Sequence, residues 1–160
     1  MLRRLEHHSG FTIIEMLVTL AVLAILAAAA IPLAKTAVKR EKEIELRRNL
    51  RIIRTAIDVY KKLADEKKID YEEDTEGYPP NLEMLVKGVE LVSSESERDK
   101  GKIVKFLRRI PKDPMTDSYE WGLRSYQDEP DSTVWGEENV YDVYTKSPGV
   151  ALDGTKYSEW

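Results

Sequence analysis

Residues 11–34, FTIIEMLVTLAVLAILAAAAIPLA, form an almost continuous apolar run that follows the short leader MLRRLEHHSG. From Met16 to Ala34 the run holds nineteen residues, with Thr19 as the one hydroxyl side chain. At about 1.5 Å per residue, a helix of this length crosses a hydrocarbon layer of about 30 Å. We therefore predict a transmembrane helix over residues 11–34.

Glu15 is the only charged residue between Phe11 and Ala34. A carboxylate in the middle of a bilayer costs roughly 2.5–3.5 kcal/mol on insertion scales, so an intramembrane Glu is expected to have a function and a partner. The alternative is a side chain that snorkels to the cytoplasmic interface and does nothing more. A secretory signal cleaved near Ala27 to Ala30 fits less well, because the helical pattern continues past Pro32 into charged sequence.

The stretch from Lys35 to Lys67 contains no Gly or Pro and is rich in helix-forming residues, which predicts that the same helix continues. Apolar residues at steps of three and four predict an amphipathic half that packs on a domain. This stripe consists of Leu46, Leu50, Ile53, Ile57, Tyr60 and Ala64. The interleaved charges predict a solvated face with pairs such as Glu43 to Arg47, and Arg48, Arg51 and Arg54 belong to the same face.

We predict that residues 68–160 form a small α+β region, and that this region forms one globular domain with residues 35–67. Asn81 is expected to cap a short helix, Leu82 to Val86, that ends near Gly88, while the charged stretch Ser93 to Gly101 is expected to be an exposed connection.

Alternating residues predict antiparallel strands with one face on the helix stripe. The inward residues would be Tyr119, Trp121 and Leu123 in one strand, and Tyr141 and Val143 in another. Trp121, Trp135 and Trp160 are expected to be packing residues rather than a ligand cage.

Composition favours a structural role over a catalytic one. The chain has no cysteine, and its two histidines, His7 and His8, both lie in the leader. No histidine follows the leader, so the serines beyond it have no histidine partner there. No Gly-rich phosphate loop or His cluster is present. The net charge of −4 gives no indication of nucleic-acid binding.

The residues Gly10-Phe11-Thr12-Ile13-Ile14-Glu15, between a short basic leader and an apolar run, resemble the processing signature of type IV pilins and type II secretion pseudopilins. The resemblance implies that a prepilin peptidase removes residues 1–10 by cutting between Gly10 and Phe11, and then N-methylates Phe11. It also implies assembly through the helix. Glu15 would meet the new amine of a neighbouring subunit or of its own chain, and we favour the neighbour. Pro32, which cannot donate to the carbonyl of Ala28, would allow a kink or local opening of the helix.

Further segments resemble the G-type major pseudopilin of type II secretion. They are Pro111-Lys112-Asp113-Pro114 followed by Tyr119, the pair Tyr78-Pro79, and the ending Asp142 to Gly149. Proteins of that type bind calcium in a C-terminal loop. Here the loop Ser147 to Gly154 offers Asp153 as its one matching carboxylate, and calcium prefers six to eight oxygens, so a plain turn at Asp153-Gly154 is the alternative.

The resemblance therefore implies a single-pass inner-membrane protein with a cytoplasmic N-terminus and a periplasmic domain, polymerised into a pseudopilus that supports protein export. Its partners would be other copies, minor pseudopilins, prepilin peptidase, an assembly platform with its ATPase and, before assembly, membrane lipid. No cofactor is expected apart from the calcium ion already considered.

Two alternatives remain, a type IV pilin of a surface fibre and an unprocessed, signal-anchored periplasmic binding protein. Because Arg3 and Arg4 precede the span and four cations follow it, charge does not settle orientation.

Overall fold

The computed structural model describes residues 10–92 and 101–160, which lie in two compact units. The first unit ends at Lys39 and the second comprises Arg40–Trp160. One long helix, α1 (Ile13–Asp65), contributes to both. Its 53 residues confirm the predicted long N-terminal helix, and the elements that follow make the chain α+β, as expected from the sequence.

The second half of α1 carries the core of the second unit. All six residues of the predicted stripe are buried, and Ala56 joins them. Leu46, Ile53 and Ala64 are fully excluded from solvent. They pack with residues from the rest of the unit, among them Leu85, Trp121, Val140, Val143 and Tyr157. The three- and four-residue spacing therefore identified the buried face correctly.

The short helix α2 (Leu82–Lys87) lies where the sequence predicts it. Asn81 caps it, because its side-chain Oδ1 accepts a hydrogen bond from the Met84 N–H at 3.0 Å. Gly88 ends it with φ +87°, and the carbonyl oxygen of Val104 lies only 2.5 Å from the position that a Cβ would take. A side chain at position 88 is excluded on both grounds.

In the part of the chain that the structure describes, four short strands form two separate antiparallel pairs. The first pair, β1 (Val89–Glu90) with β2 (Ile103–Val104), was not predicted, because two-residue strands are too short to show alternation. The predicted connection between them falls largely on residues 93–100, outside the described residues. The second pair is β3 (Gly122–Arg124) with β4 (Asp142–Tyr144), in which Gly122 faces Tyr144.

The predicted faces of the second pair are partly wrong. Trp121 and Val143 are buried as expected, but Tyr119 and Tyr141 are exposed, and Arg124 is buried. Arg124 is covered by the side chain of Tyr144 from the neighbouring strand. Its ring lies so close to Gly122 that a Cβ there would approach ring carbons to 2.3 Å, and the Arg124 guanidinium stacks on the same ring at 4.1 Å.

The solvated face predicted for α1 is also partly wrong. Arg54 donates from Nε to Asp142 Oδ1 at 2.6 Å and from Nη2 to the carbonyl oxygens of Val143 and Trp160. Arg47 pairs with Asp153 at 3.2 Å instead of with Glu43. These cations therefore join α1 to the C-terminal segment, which helical spacing alone does not indicate.

The three tryptophans are packing residues, as predicted. Trp121 is buried and donates from Nε1 to the carbonyl of Pro111 at 2.9 Å. Trp135 and Trp160 pack on the edge of the core, and Trp160 also lies under the Arg47 guanidinium at 4.0 Å. Each indole thus has an apolar contact and a polar partner of its own.

Candidate processing and assembly site

The backbone around Gly10 is open to solvent and non-helical. Residues Gly10, Phe11 and Thr12 precede α1, which begins at Ile13. A Cβ built on Gly10 would meet nothing within 4 Å, and Phe11 is 78 % exposed. The Gly10–Phe11 peptide bond is therefore in a segment that can enter a protease active site without unwinding the helix.

Thr12 is the N-cap of α1, a role that the sequence argument missed. Its Oγ1 accepts a hydrogen bond from the Glu15 N–H at 3.2 Å, and its carbonyl accepts from the Met16 N–H at 3.1 Å. The signal was present in the sequence, because Thr followed three residues later by Glu ahead of an apolar run is a capping-box pattern. Thr12 thereby holds the start of the helix two residues after the peptide bond.

Glu15 lies in the first turn of α1 and is exposed. A carboxylate here faces the partial positive charge that unpaired N–H groups create at a helix N-terminus. Phe11 lies outside the helix, which begins at Ile13. A pairing of the Glu15 carboxylate with the amine of Phe11 stays a prediction.

Among the described residues, the apolar part of α1 is exposed along its length. The helix is long and apolar enough to cross a membrane. Thr19 does not interrupt the run, because its hydroxyl donates to the carbonyl of Met16 at 2.9 Å. A surface of this kind requires lipid or other helices around it.

Pro32 does not break α1. The helix continues through it, and Thr36 donates from its hydroxyl to the Pro32 carbonyl at 3.1 Å. The local opening expected at this position is therefore absent from the single chain. A role for Pro32 in assembly stays a prediction.

Calcium binding in the C-terminal loop stays a prediction, and the Asp153 carboxylate there already accepts hydrogen bonds through both of its oxygens. Asp153 Oδ2 accepts from Arg47, while Oδ1 accepts from both the N–H and the hydroxyl of Thr155 at 3.0 and 2.6 Å. These hydrogen bonds, with the charge of Arg47, lower the pKa of the Asp153 carboxyl. Within residues 10–92 and 101–160 no three acidic or histidine side chains converge on a possible metal position. The arrangement is that of an Asx turn.

Comparison with known proteins gives one match. Residues 7–31 match the family model described as the prokaryotic N-terminal methylation motif. No curated protein and no solved structure matches the chain. The matched residues contain the Gly10–Phe11 bond, Glu15 and most of the apolar run, and they support a type IV pilin-like substrate of a prepilin peptidase.

Proposed function

We propose that this protein is a structural subunit of a type II secretion pseudopilus. The observation that carries the proposal is the methylation motif over residues 7–31, which coincides with an exposed, non-helical Gly10–Phe11 bond directly before an unburied apolar helix. A peptidase would cut this bond on the cytoplasmic side of the inner membrane. The domain from Arg40 onward would then lie in the periplasm.

Processing would prepare the helix for assembly. Cleavage releases the α-amine of Phe11, which becomes N-methylated and remains cationic. An amine entering a low-dielectric helix bundle needs an anionic partner, and Glu15 of a neighbouring copy supplies one while setting the axial register. The small side chains of Ala27 to Ala30, just before Pro32, allow the helices to approach closely.

Two features favour a pseudopilus over a surface pilus. The chain has no cysteine and so cannot close the C-terminal disulfide loop that many type IV pilins contain. It also carries the Pro111 to Pro114 element, in which Asp113 is fully buried. A type IV pilin remains the second candidate, because the methylation motif is common to both classes.

The N-terminus of the mature chain tests processing. Mass spectrometry of protein from cells with an active prepilin peptidase is expected to find N-methylated Phe11 as the first residue. Gly10→Val is expected to leave the leader attached. A wild-type chain that begins at Met1 in these cells would support the signal-anchored alternative instead.

Assembly and export test the rest. Glu15→Ala is expected to insert into the membrane normally yet form no filaments, whereas Glu83→Ala removes an exposed Glu from α2 and should assemble. Loss of the protein should stop export of folded proteins. Loss of long surface fibres with export intact would point to the pilin.

A further inference from the structure

A groove of ≈ 740 Å³ runs between α1 and residues 106–112. Ile44, Ile52 and Tyr119 line it and remain 63, 40 and 62 % exposed. Its shape is fixed, because Asn49 donates from Nδ2 to the Lys112 carbonyl at 2.9 Å and so holds the segment beside the helix. Large apolar side chains that stay exposed in a groove of fixed shape are typical of an interaction surface.

Exposed cations border the groove. Arg48, Arg108 and Arg109 line it, and Arg51 and Lys105 line the adjoining depression. None of these five exposed cations forms an ion pair with any residue that the structure describes. Glu41 and Glu45 also line the groove, so it is not a uniform polyanion site. The surface fits a partner with acidic groups around an apolar centre.

The loop of residues 126–140 in the same unit has acidic groups around an apolar centre. Residues 126–140 contain no Lys or Arg, and four of their acidic side chains are exposed. These are Glu129, Asp131, Glu137 and Glu138. Val134 lies between the two acidic pairs in sequence and is 75 % exposed.

The loop is preformed. Asp128 Oδ2 accepts from the N–H groups of Ser125 and Gly136 at 2.7 and 3.1 Å, which ties its two sides together. Arg124 Nε donates to the Ser132 carbonyl at 2.9 Å. Because its hydrogen bonds are already made, docking would cost little ordering entropy.

We infer that the 126–140 loop of one copy docks in the α1/106–112 groove of the next copy, with Val134 against Ile52 and the loop acids beside Arg108 and Arg109. The inference rests on the proposed self-assembly and adds a second, periplasmic contact to it. Because the contact joins two different surfaces, it repeats head to tail as an open polymer.

Cysteine cross-linking tests the contact in cells that contain the assembly machinery, and the chain has no native cysteine. Ile52→Cys combined with Val134→Cys should give a ladder of covalent trimers and longer species on oxidation. Each single variant should give no ladder, and neither should Val134→Cys with Val92→Cys, an exposed position outside the groove. Arg108→Glu with Arg109→Glu should lower the ladder about tenfold through like-charge repulsion, and Glu137→Arg with Glu138→Arg should restore it.

A cysteine scan over Leu17, Leu20 and Leu23 separates this inference from the proposed function. Helix cross-links without the groove–loop ladder would overturn the docking contact and leave the pseudopilus standing. Absence of both the helix cross-links and the groove–loop ladder would overturn the docking contact and the proposed function together. Covalent dimers alone would contradict a head-to-tail contact, and a cross-link from Ile52→Cys to a different protein would show that the occupant is not a second copy.

Discussion

Tyr157 donates a hydrogen bond from its phenol to Glu43 Oε1 at 2.9 Å, across 114 positions of sequence. The same oxygen accepts from the Leu152 N–H at 2.8 Å, and both side chains, Glu43 and Tyr157, are buried. Glu43 thus anchors the C-terminal segment to α1 from inside the unit. Together with Arg47 and Arg54, it makes the helix the attachment point for the end of the chain.

Glu43→Ala is expected to destabilise the second unit by about 2 kcal/mol, because it leaves a buried phenol and a backbone N–H without their acceptor. Glu43→Gln keeps an acceptor oxygen and should cost less. Thermal unfolding of the full chain in detergent, followed by near-ultraviolet circular dichroism, measures the difference. Equal stability of Glu43→Ala and wild type would contradict the anchoring role.

Alkaline pH should release the same contact. Burial, followed by the hydrogen bond and charge of Glu43, raises the pKa of Tyr157 to about 12 from the ordinary value of 10.0. The folded chain therefore holds this proton more tightly than the unfolded chain does. The corresponding stability is complete below pH 10 and is lost as the pH rises to about 12.

Tyr157→Phe removes this contribution, so its unfolding midpoint should fall less steeply than that of wild type between pH 10 and 12. Tyr60 and Tyr78, whose pKa values are also raised by burial, stay in place in both proteins and cancel in the comparison. Parallel pH profiles for the two proteins would contradict the linkage to Tyr157.

Asp113→Asn is expected to destabilise the fold by about 1–3 kcal/mol, since the buried carboxylate is the acceptor in each of its side-chain hydrogen bonds and three donors depend on it. These are the Met115 N–H at 2.8 Å and the hydroxyls of Thr116 and Thr145. An amide nitrogen cannot accept, so the donors that now meet the replaced oxygen would lose their acceptor. Asp117→Asn, at a position paired with Lys112 on the surface, is the matched control and should cost less than Asp113→Asn. Chemical denaturation midpoints compare them.

Calcium is expected to leave the melting temperature unchanged, because both Asp153 oxygens already accept hydrogen bonds. Differential scanning calorimetry with millimolar calcium and with chelator gives the comparison. A midpoint that rises with calcium, and does so no longer in Asp153→Asn, would mean that the loop rearranges around the ion.

The sequence by itself determined the features that depend on neighbours along the chain. The apolar run, the buried stripe of α1, the Asn81 cap of α2 and the Gly10-Phe11-Glu15 signature are all local patterns, and periodicity or spacing expresses them directly. The Thr12 cap had such a signal as well. Tertiary structure alone decided which charges would be buried, as Glu43 and Arg124 are, or partly buried in an ion pair, as Arg54 is. Glu43, Arg54 and Arg124 look like surface residues by helical or strand spacing, but their partners lie in segments brought together only by folding. A buried charge is stable only with a partner, and that partner is defined in space and not along the sequence.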